Sequence, residues 1–127
     1  MDESLARIRL LVGDENTLKI SGKCVMVVGL GGVGAIAAES LARFGVGKLI
    51  LVDHDVVVKS NLNRQIHATL ETVGMKKTEA RIKRIRSIKP DCNLVGLDLF
   101  VSQLTLSAMF DQNVDYVIDA IDTVGSK

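Results

Sequence analysis

Residues 24–34 read Cys-Val-Met-Val-Val-Gly-Leu-Gly-Gly-Val-Gly, and the fold follows from how this stretch changes character in the middle. Cys24 to Gly29 is an unbroken apolar run with Gly22-Lys23 before it and glycines after it, as expected of a parallel strand buried on both faces. From Gly32 the period becomes helical. Val33, Ile36, Ala37, Leu41 and Phe44 are expected on one apolar face, Glu39 and Arg43 on the other, with Gly45 just past the end. Gly29-Leu30-Gly31-Gly32-Val33-Gly34 therefore fits G-x-G-x-x-G after a strand and at the opening of a helix, the context in which that pattern carries information. The first glycine permits the tight turn, the second lets phosphate approach the backbone, and the third lets helix and strand pack closely. Free N–H groups and the helix dipole then favour an anion. A P-loop is excluded, because Ala35-Ile36 stands where Lys-Ser/Thr is required.

Outward from this unit the alternation repeats. Lys48–Asp53 (KLILVD) reads as a second strand, residues 55–72 as a long polar loop with at most a short helix, and Lys76–Lys89 as a helix with Ile82, Ile85 and Ile88 inward and its basic residues on the remaining surface, stopped by Pro90. Asn93–Leu97 gives a third strand, Ser102–Phe110 a third helix and Val114–Asp119 a fourth strand. Upstream, residues 3–12 carry Leu5, Ile8, Leu11 and Val12 at helical spacing, with Gly13-Asp14 as a stop and restart. The expectation is an α/β chain, a Rossmann-like doubly wound parallel sheet with helices on both faces and right-handed crossovers. The fourth strand should lie beside the first, with an open edge where a fifth is normally found.

Composition agrees. A chain of 127 residues with one Pro, 47% apolar and 24% charged residues suits one folded domain and excludes disordered and fibrous classes. The net charge of +1 conceals segregation: Lys76–Lys89 holds seven bases and one acid, whereas Asp91–Asp122 holds six acids and no base. Cys24 and Cys92 form no C-x-x-C, which excludes a zinc ribbon or a disulfide scaffold and points to a reducing compartment. The opening MDESLARIRL does not read as a leader, and no window approaches the roughly 18 apolar residues of a membrane span. A cytoplasmic protein without a membrane partner is expected.

Asp53 ends the second strand 19 residues after Gly34, where a carboxylate can accept hydrogen bonds from ribose hydroxyls. Turn and acid together specify an adenosine-like ligand but do not separate NAD from ATP. Arg64, Gln65 and Lys77 follow, and grouped cations suit a triphosphate better than hydride transfer. A loop arginine and a solvated basic helix have the same spacing, so the residues alone leave both readings open. His54 reads as a strand-end residue and His67 as a loop or core histidine.

Arg7 in RIRLLVG, the GLGGVG turn, VDHD, SNLNRQ, VGMKK, IKPD and DAIDT resemble the ubiquitin-activating-enzyme-like adenylating family, which includes the thiamine and molybdenum-cofactor adenylyltransferases. The resemblance covers nearly the whole chain. It implies that Arg7 crosses a homodimer interface to the neighbour's phosphates and that Asp53, with Asp55 nearby, serves the ribose end. It further implies that Asn61, Arg64, Gln65 and Lys77 hold phosphates over Gly29, Gly31, Gly32 and Gly34, and that Asp122 bears on magnesium. The family's lysine stands three residues after the glycine of its segment, which selects Lys77 over Lys76.

Within that family, NRQIHA (63–68) and the R-x-x-L-L-x-G opening look most like the tRNA threonylcarbamoyladenosine dehydratases. The implied activity is ATP-dependent adenylation of the modified nucleoside's carboxylate, followed by cyclisation with loss of water, with ATP and Mg2+ as cofactors and tRNA as substrate. On this reading residues 1–127 are an ATP-binding adenylation domain that stops short on its C-terminal side and is inactive alone. The alternatives are adenylation of the C-terminal glycine of a ubiquitin-like sulfur carrier protein, an NAD-binding oxidoreductase module, and a silent nucleotide sensor.

Overall fold

The structure, a computed structural model, describes residues 3–55, 73–99 and 113–121. A single 3-10 turn, Glu3–Leu5, leads into α1 (Ala6–Val12); Gly13 ends it and α2 (Asp14–Ser21) restarts with Asp14 and Glu15 in its first turn, where acids complement the helix dipole. There follow β1 (Cys24–Val28), α3 (Gly32–Arg43), β2 (Lys48–Asp53), α4 (Lys77–Ile88), β3 (Asn93–Asp98) and β4 (Tyr116–Asp119). The expected helix at 102–110 lies outside the described residues. No helix among the described residues is long and apolar enough to cross a membrane.

The four strands form one parallel sheet in the order β3-β2-β1-β4. Val25 pairs with both Leu49 and Tyr116, so the turn after β1 opens between its two neighbours at the carboxyl end of the sheet. Asp115 explains why β4 begins at Tyr116 and not at Val114: its Oδ2 accepts the Cys24 N–H at 2.8 Å and its own N–H reaches the Cys24 carbonyl at 2.9 Å, pinning the entry to the strand.

Alternation along β1 divides the core into two layers. Val25 and Val27 join Leu49, Leu51, Ala38, Ala42 and Ile85 on the face covered by α3 and α4. Cys24, Met26 and Val28 join Ile50 and Val52 on the other, with Val95, Leu97, Val114 and Ile121 packed against them. Every residue of β1 is buried, as its unbroken apolar run requires.

Two expected helix faces are corrected. In α3 the buried residues are Gly34, Ala35, Ala38 and Ala42, while Val33, Ile36 and Phe44 are 75%, 50% and 41% exposed. A helix held close to the sheet by its glycine turn accepts only small side chains beneath it, so size and not hydropathy sets the inward face. That rotation also carries Glu39 into the interface with α4, where its side chain is only 13% exposed. In α4 Ile85 is buried and Ile82 packs on the core as the spacing indicates, but the basic residues do not all lie outside: Arg81 is fully buried, Lys77 nearly so, and so is Lys89 just past the helix end. Arg81 follows Glu39, with Nη1 at 3.3 Å from Oε1, and Lys89 reaches Ser4 Oγ at 2.9 Å.

Glu39 thus faces three guanidinium groups, those of Arg43, Arg81 and Arg84. Burial pushes its carboxyl up, but the Arg84 hydrogen bond and the three positive charges outweigh burial and hold it below the usual carboxylate range. Burial lowers the Arg81 guanidinium to about 10, so it stays charged, yet its Nε and Nη2 have no partner among the described residues. Removing one partner of a buried ion pair costs about 3–5 kcal/mol. Glu39→Gln should therefore destabilise by about 3 kcal/mol in urea unfolding, while Arg81→Met should cost less, because Glu39 keeps Arg43 and Arg84 and two buried N–H groups without a partner among the described residues leave the core. Because the folded carboxyl titrates below its unfolded value of 4.5, Glu39's contribution is complete above that value and is lost as pH falls through the folded one. The gap between wild type and Glu39→Gln should close on acidification; a gap that persisted would show that the carboxylate does not stabilise the interface through its charge.

Candidate nucleotide site

Gly29 leaves β1 with φ of +93°, a conformation open to glycine, and its N–H reaches the Val52 carbonyl at 2.8 Å. A Cβ there would lie 2.8 Å from the Ala120 carbonyl oxygen, so the backbone after β4 closes directly on the turn. Gly31 is the N-cap of α3, and at the helix start the N–H groups of Gly32, Val33 and Gly34 have no intrahelical acceptor. Gly34 sits against the strand end: a Cβ would be 1.7 Å from the Gly29 carbonyl oxygen. The three glycines of the motif therefore do three different things, and the result is a row of backbone donors at a helix N-terminus, a cradle for an anion.

Asp53 closes one side of this cradle. Its Oδ2 accepts the Leu30 N–H at 2.7 Å and its Oδ1 accepts the Asp55 N–H at 2.8 Å, so the carboxylate ties the end of β2 to the glycine turn. Each oxygen keeps a second lone pair for a ligand hydroxyl. Lys77 opens α4 beside it: its N–H reaches the Asp55 carbonyl at 3.0 Å, and its Nζ stands 3.8 Å from Asp55 Oδ2 on a side chain only 9% exposed. Lys76 points elsewhere, to Asp98 at 3.0 Å, so of the two adjacent lysines Lys77 is the one directed at the site. That Nζ to Asp55 separation is long for a committed ion pair, and it leaves a cation beside the anion cradle.

Asp53, His54 and Asp55 each offer an atom within 4.8 Å of the others. Both Asp53 oxygens already accept backbone N–H groups, and His54 Nε2 is 3.2 Å from Asp55 Oδ1, so this is not a dedicated metal cage. Both thiols lie away from this chemistry. Burial pushes Cys92 up to about 11 and raises Cys24 as well, which keeps them protonated at neutral pH.

The structure thus brings Gly29, Gly31, Gly32, Gly34, Asp53, Asp55 and Lys77 to one end of the sheet. Arg7 is exposed on α1, which packs on the preceding turn and on α2. Asn61, Arg64, Gln65 and Asp122 lie outside the described residues, as does His67. Sequence reasoning missed the brackets around the site: Glu39 and Arg81 joining α3 to α4, Asp98 holding Lys76, and Asp115 holding β4. Glu39, conspicuous as an acid four residues before Arg43 on an otherwise apolar helix, was the available signal for the first of these.

A parallel sheet in this order, with a glycine turn after its first strand and an acid at the end of its second, defines a Rossmann-like nucleotide-binding fold. The chain belongs to the ThiF family, whose model matches residues 3–127. It is 44% identical over 124 residues to the tRNA threonylcarbamoyladenosine dehydratase of Bacillus subtilis (strain 168), covering 98% of this chain and 49% of that protein. It is also 37% identical over 111 residues to the SAMP-activating enzyme E1 of Haloferax volcanii, covering 87% of this chain and 41% of that one. The crystal structure of Escherichia coli tRNA N6-threonylcarbamoyladenosine dehydratase, TcdA, in complex with ATP superposes with a TM-score of 0.94 at 40% identity, over 98% of this chain and 51% of that chain. The chain spans about half the length of the relatives it matches.

Proposed function

We propose that the protein containing this chain uses ATP to adenylate a carboxylate, that of threonylcarbamoyladenosine in tRNA, releasing pyrophosphate, and that the acyl adenylate then cyclises as AMP leaves with the carboxylate oxygen, a net loss of water from the nucleoside. The observation that carries this reading is the convergence of Asp53, the Gly29–Gly34 turn and Lys77 at one end of the sheet, in a chain so similar to a dehydratase solved with ATP. A carboxylate is a poor acyl donor until one oxygen leaves as part of a phosphate ester; ATP supplies that leaving group. The residues of this chain bind and orient: the helix start of α3 takes phosphate oxygens, Asp53 takes the ribose hydroxyls, and Lys77 offsets charge on the phosphates. Such transfer depends on positioning and charge neutralisation and needs no protein nucleophile, which agrees with two buried thiols.

Asn61, Arg64 and Gln65 complete the phosphate contacts in this reading, Asp122 bears on Mg2+, and Arg7 reaches the neighbouring subunit's phosphates in a homodimer. The exposed Leu10 and Leu11 on the same helix as Arg7 are consistent with such an interface. The protein acts on tRNA in the cytoplasm. Similarity to a SAMP-activating enzyme supports a second reading, adenylation of a ubiquitin-like sulfur carrier protein by the same site.

Calorimetry with ATP and with NAD, each with and without magnesium, tests the nucleotide assignment. ATP should bind and NAD should not compete. Asp53→Ala should weaken ATP by roughly 10- to 100-fold, the value of one or two hydrogen bonds to a charged group, with the variant's fold checked by its thermal transition. Tighter binding of NAD, or an Asp53→Ala variant that binds ATP undiminished, would contradict the proposal.

A further inference from the structure

We propose that the outer face of α4, with Arg43 of α3 beside it, takes the phosphate backbone of the RNA substrate. This assignment rests on the reading of tRNA as substrate and adds the surface that holds it. The exposed side of α4 presents Lys83, Arg84, Arg86 and Ser87 with one acid, Glu79. Arg84 and Arg43 share Glu39 with Arg81, so three guanidinium groups meet one carboxylate and the interface keeps a positive excess. Lys83 and Arg86 make no ion pair among the described residues. An ordinary solvated helix keeps its charges out of the core. Here Arg81 is fully buried under the patch, and its Nε and Nη2 have no partner among the described residues, which raises the positive potential of the surface above it. Local rules broken in this way are expected where function requires them.

The placement suits the reaction. α4 begins at Lys77 in the nucleotide site, and at 1.5 Å per residue Lys83 and Arg86 stand roughly 9–14 Å further along the helix. Phosphates of a strand lying along this face would meet these bases while a nucleoside near them reached the site. α4 itself carries no aromatic side chain, so its outer face offers phosphate contacts and not base stacking, as befits a surface that positions one particular nucleoside for another site to recognise.

The test is tRNA binding by the full-length protein as a function of KCl concentration, for wild type, Lys83→Ala/Arg86→Ala and the charge-keeping Lys83→Arg/Arg86→Lys. Loss of two phosphate contacts should reduce the slope of log affinity against log salt by roughly 1.4–1.8 and weaken binding roughly 25- to 60-fold at 0.1 M. The charge-keeping variant should restore both, and ATP affinity should not change in any of the three. If wild type binds tRNA and the alanine variant keeps its slope and affinity, the surface assignment fails while the proposed reaction stands. If wild type does not bind tRNA at all, both fall. A variant that loses an acidic carrier protein instead of tRNA would overturn the assignment in favour of a protein partner.

Discussion

Gly34→Ala is expected to unfold or severely destabilise the domain, by more than about 3 kcal/mol, and to abolish nucleotide binding with it. A single added methyl would sit 1.7 Å from the Gly29 carbonyl oxygen, 2.8 Å from that carbonyl's carbon and 3.2 Å from Ala120 Cβ. The first two obstacles are backbone and cannot rotate away, so α3 must lift from β1. Lifting it withdraws Ala35, Ala38 and Ala42 from the core and opens space against Val25, Val27 and Leu49. Overpacking a well-filled core costs about 1–3 kcal/mol when side chains can adjust, and more when the backbone must move. Gly96→Ala is the matched control: its nearest obstacles are Ile82 Cδ1 at 3.0 Å and Thr78 Cβ at 3.3 Å, a flexible tip and a side chain, so it should cost much less. Urea midpoints decide the matter. Equal losses for the two substitutions would show that the helix is not held to the strand through Gly34.

Lys77→Ala should lower turnover of the full-length enzyme by roughly 10²- to 10³-fold while changing ATP affinity only a few-fold, since charge at the reacting phosphate grows as it is attacked. The neighbouring Lys76→Ala serves as the control, because Lys76 is spent on Asp98 at 3.0 Å and should cost little activity. Comparable losses of rate and affinity for Lys77→Ala would make it a ground-state contact; no loss of rate would remove it from the site.

The order of elements was legible because backbone chemistry and period announced it. The apolar run inside KLILVD reads as a buried strand, and G-x-G-x-x-G carries its information because an apolar run precedes it and a helical period follows it. The inward face of α3 and the burial of Arg81 in α4 were not legible, for a single reason, although Ile82 and Ile85 of α4 do face the core as their spacing indicates. Hydropathy ranks Val33, Ile36 and Phe44 above Ala38 and Ala42, but proximity to the sheet selects by volume, and the resulting turn of α3 carries Glu39 inside and draws Arg81 after it. Of the site, Asp53 could be placed from its spacing to the glycine turn, and Lys77 only through the family resemblance. The second task of Asp53, accepting the Leu30 N–H, could not, because it depends on the register that sets β2 beside β1.

The claim that a carboxylate on tRNA is adenylated here is tested most directly by ATP–pyrophosphate exchange in the full-length protein. Three acceptors are compared: tRNA bearing threonylcarbamoyladenosine, the same tRNA without the modification, and a ubiquitin-like carrier protein ending in glycine. Magnesium-dependent exchange stimulated by the modified tRNA alone and lost in Lys77→Ala is the expected result. Exchange driven by the carrier protein, or by the unmodified tRNA as strongly as by the modified one, would contradict it.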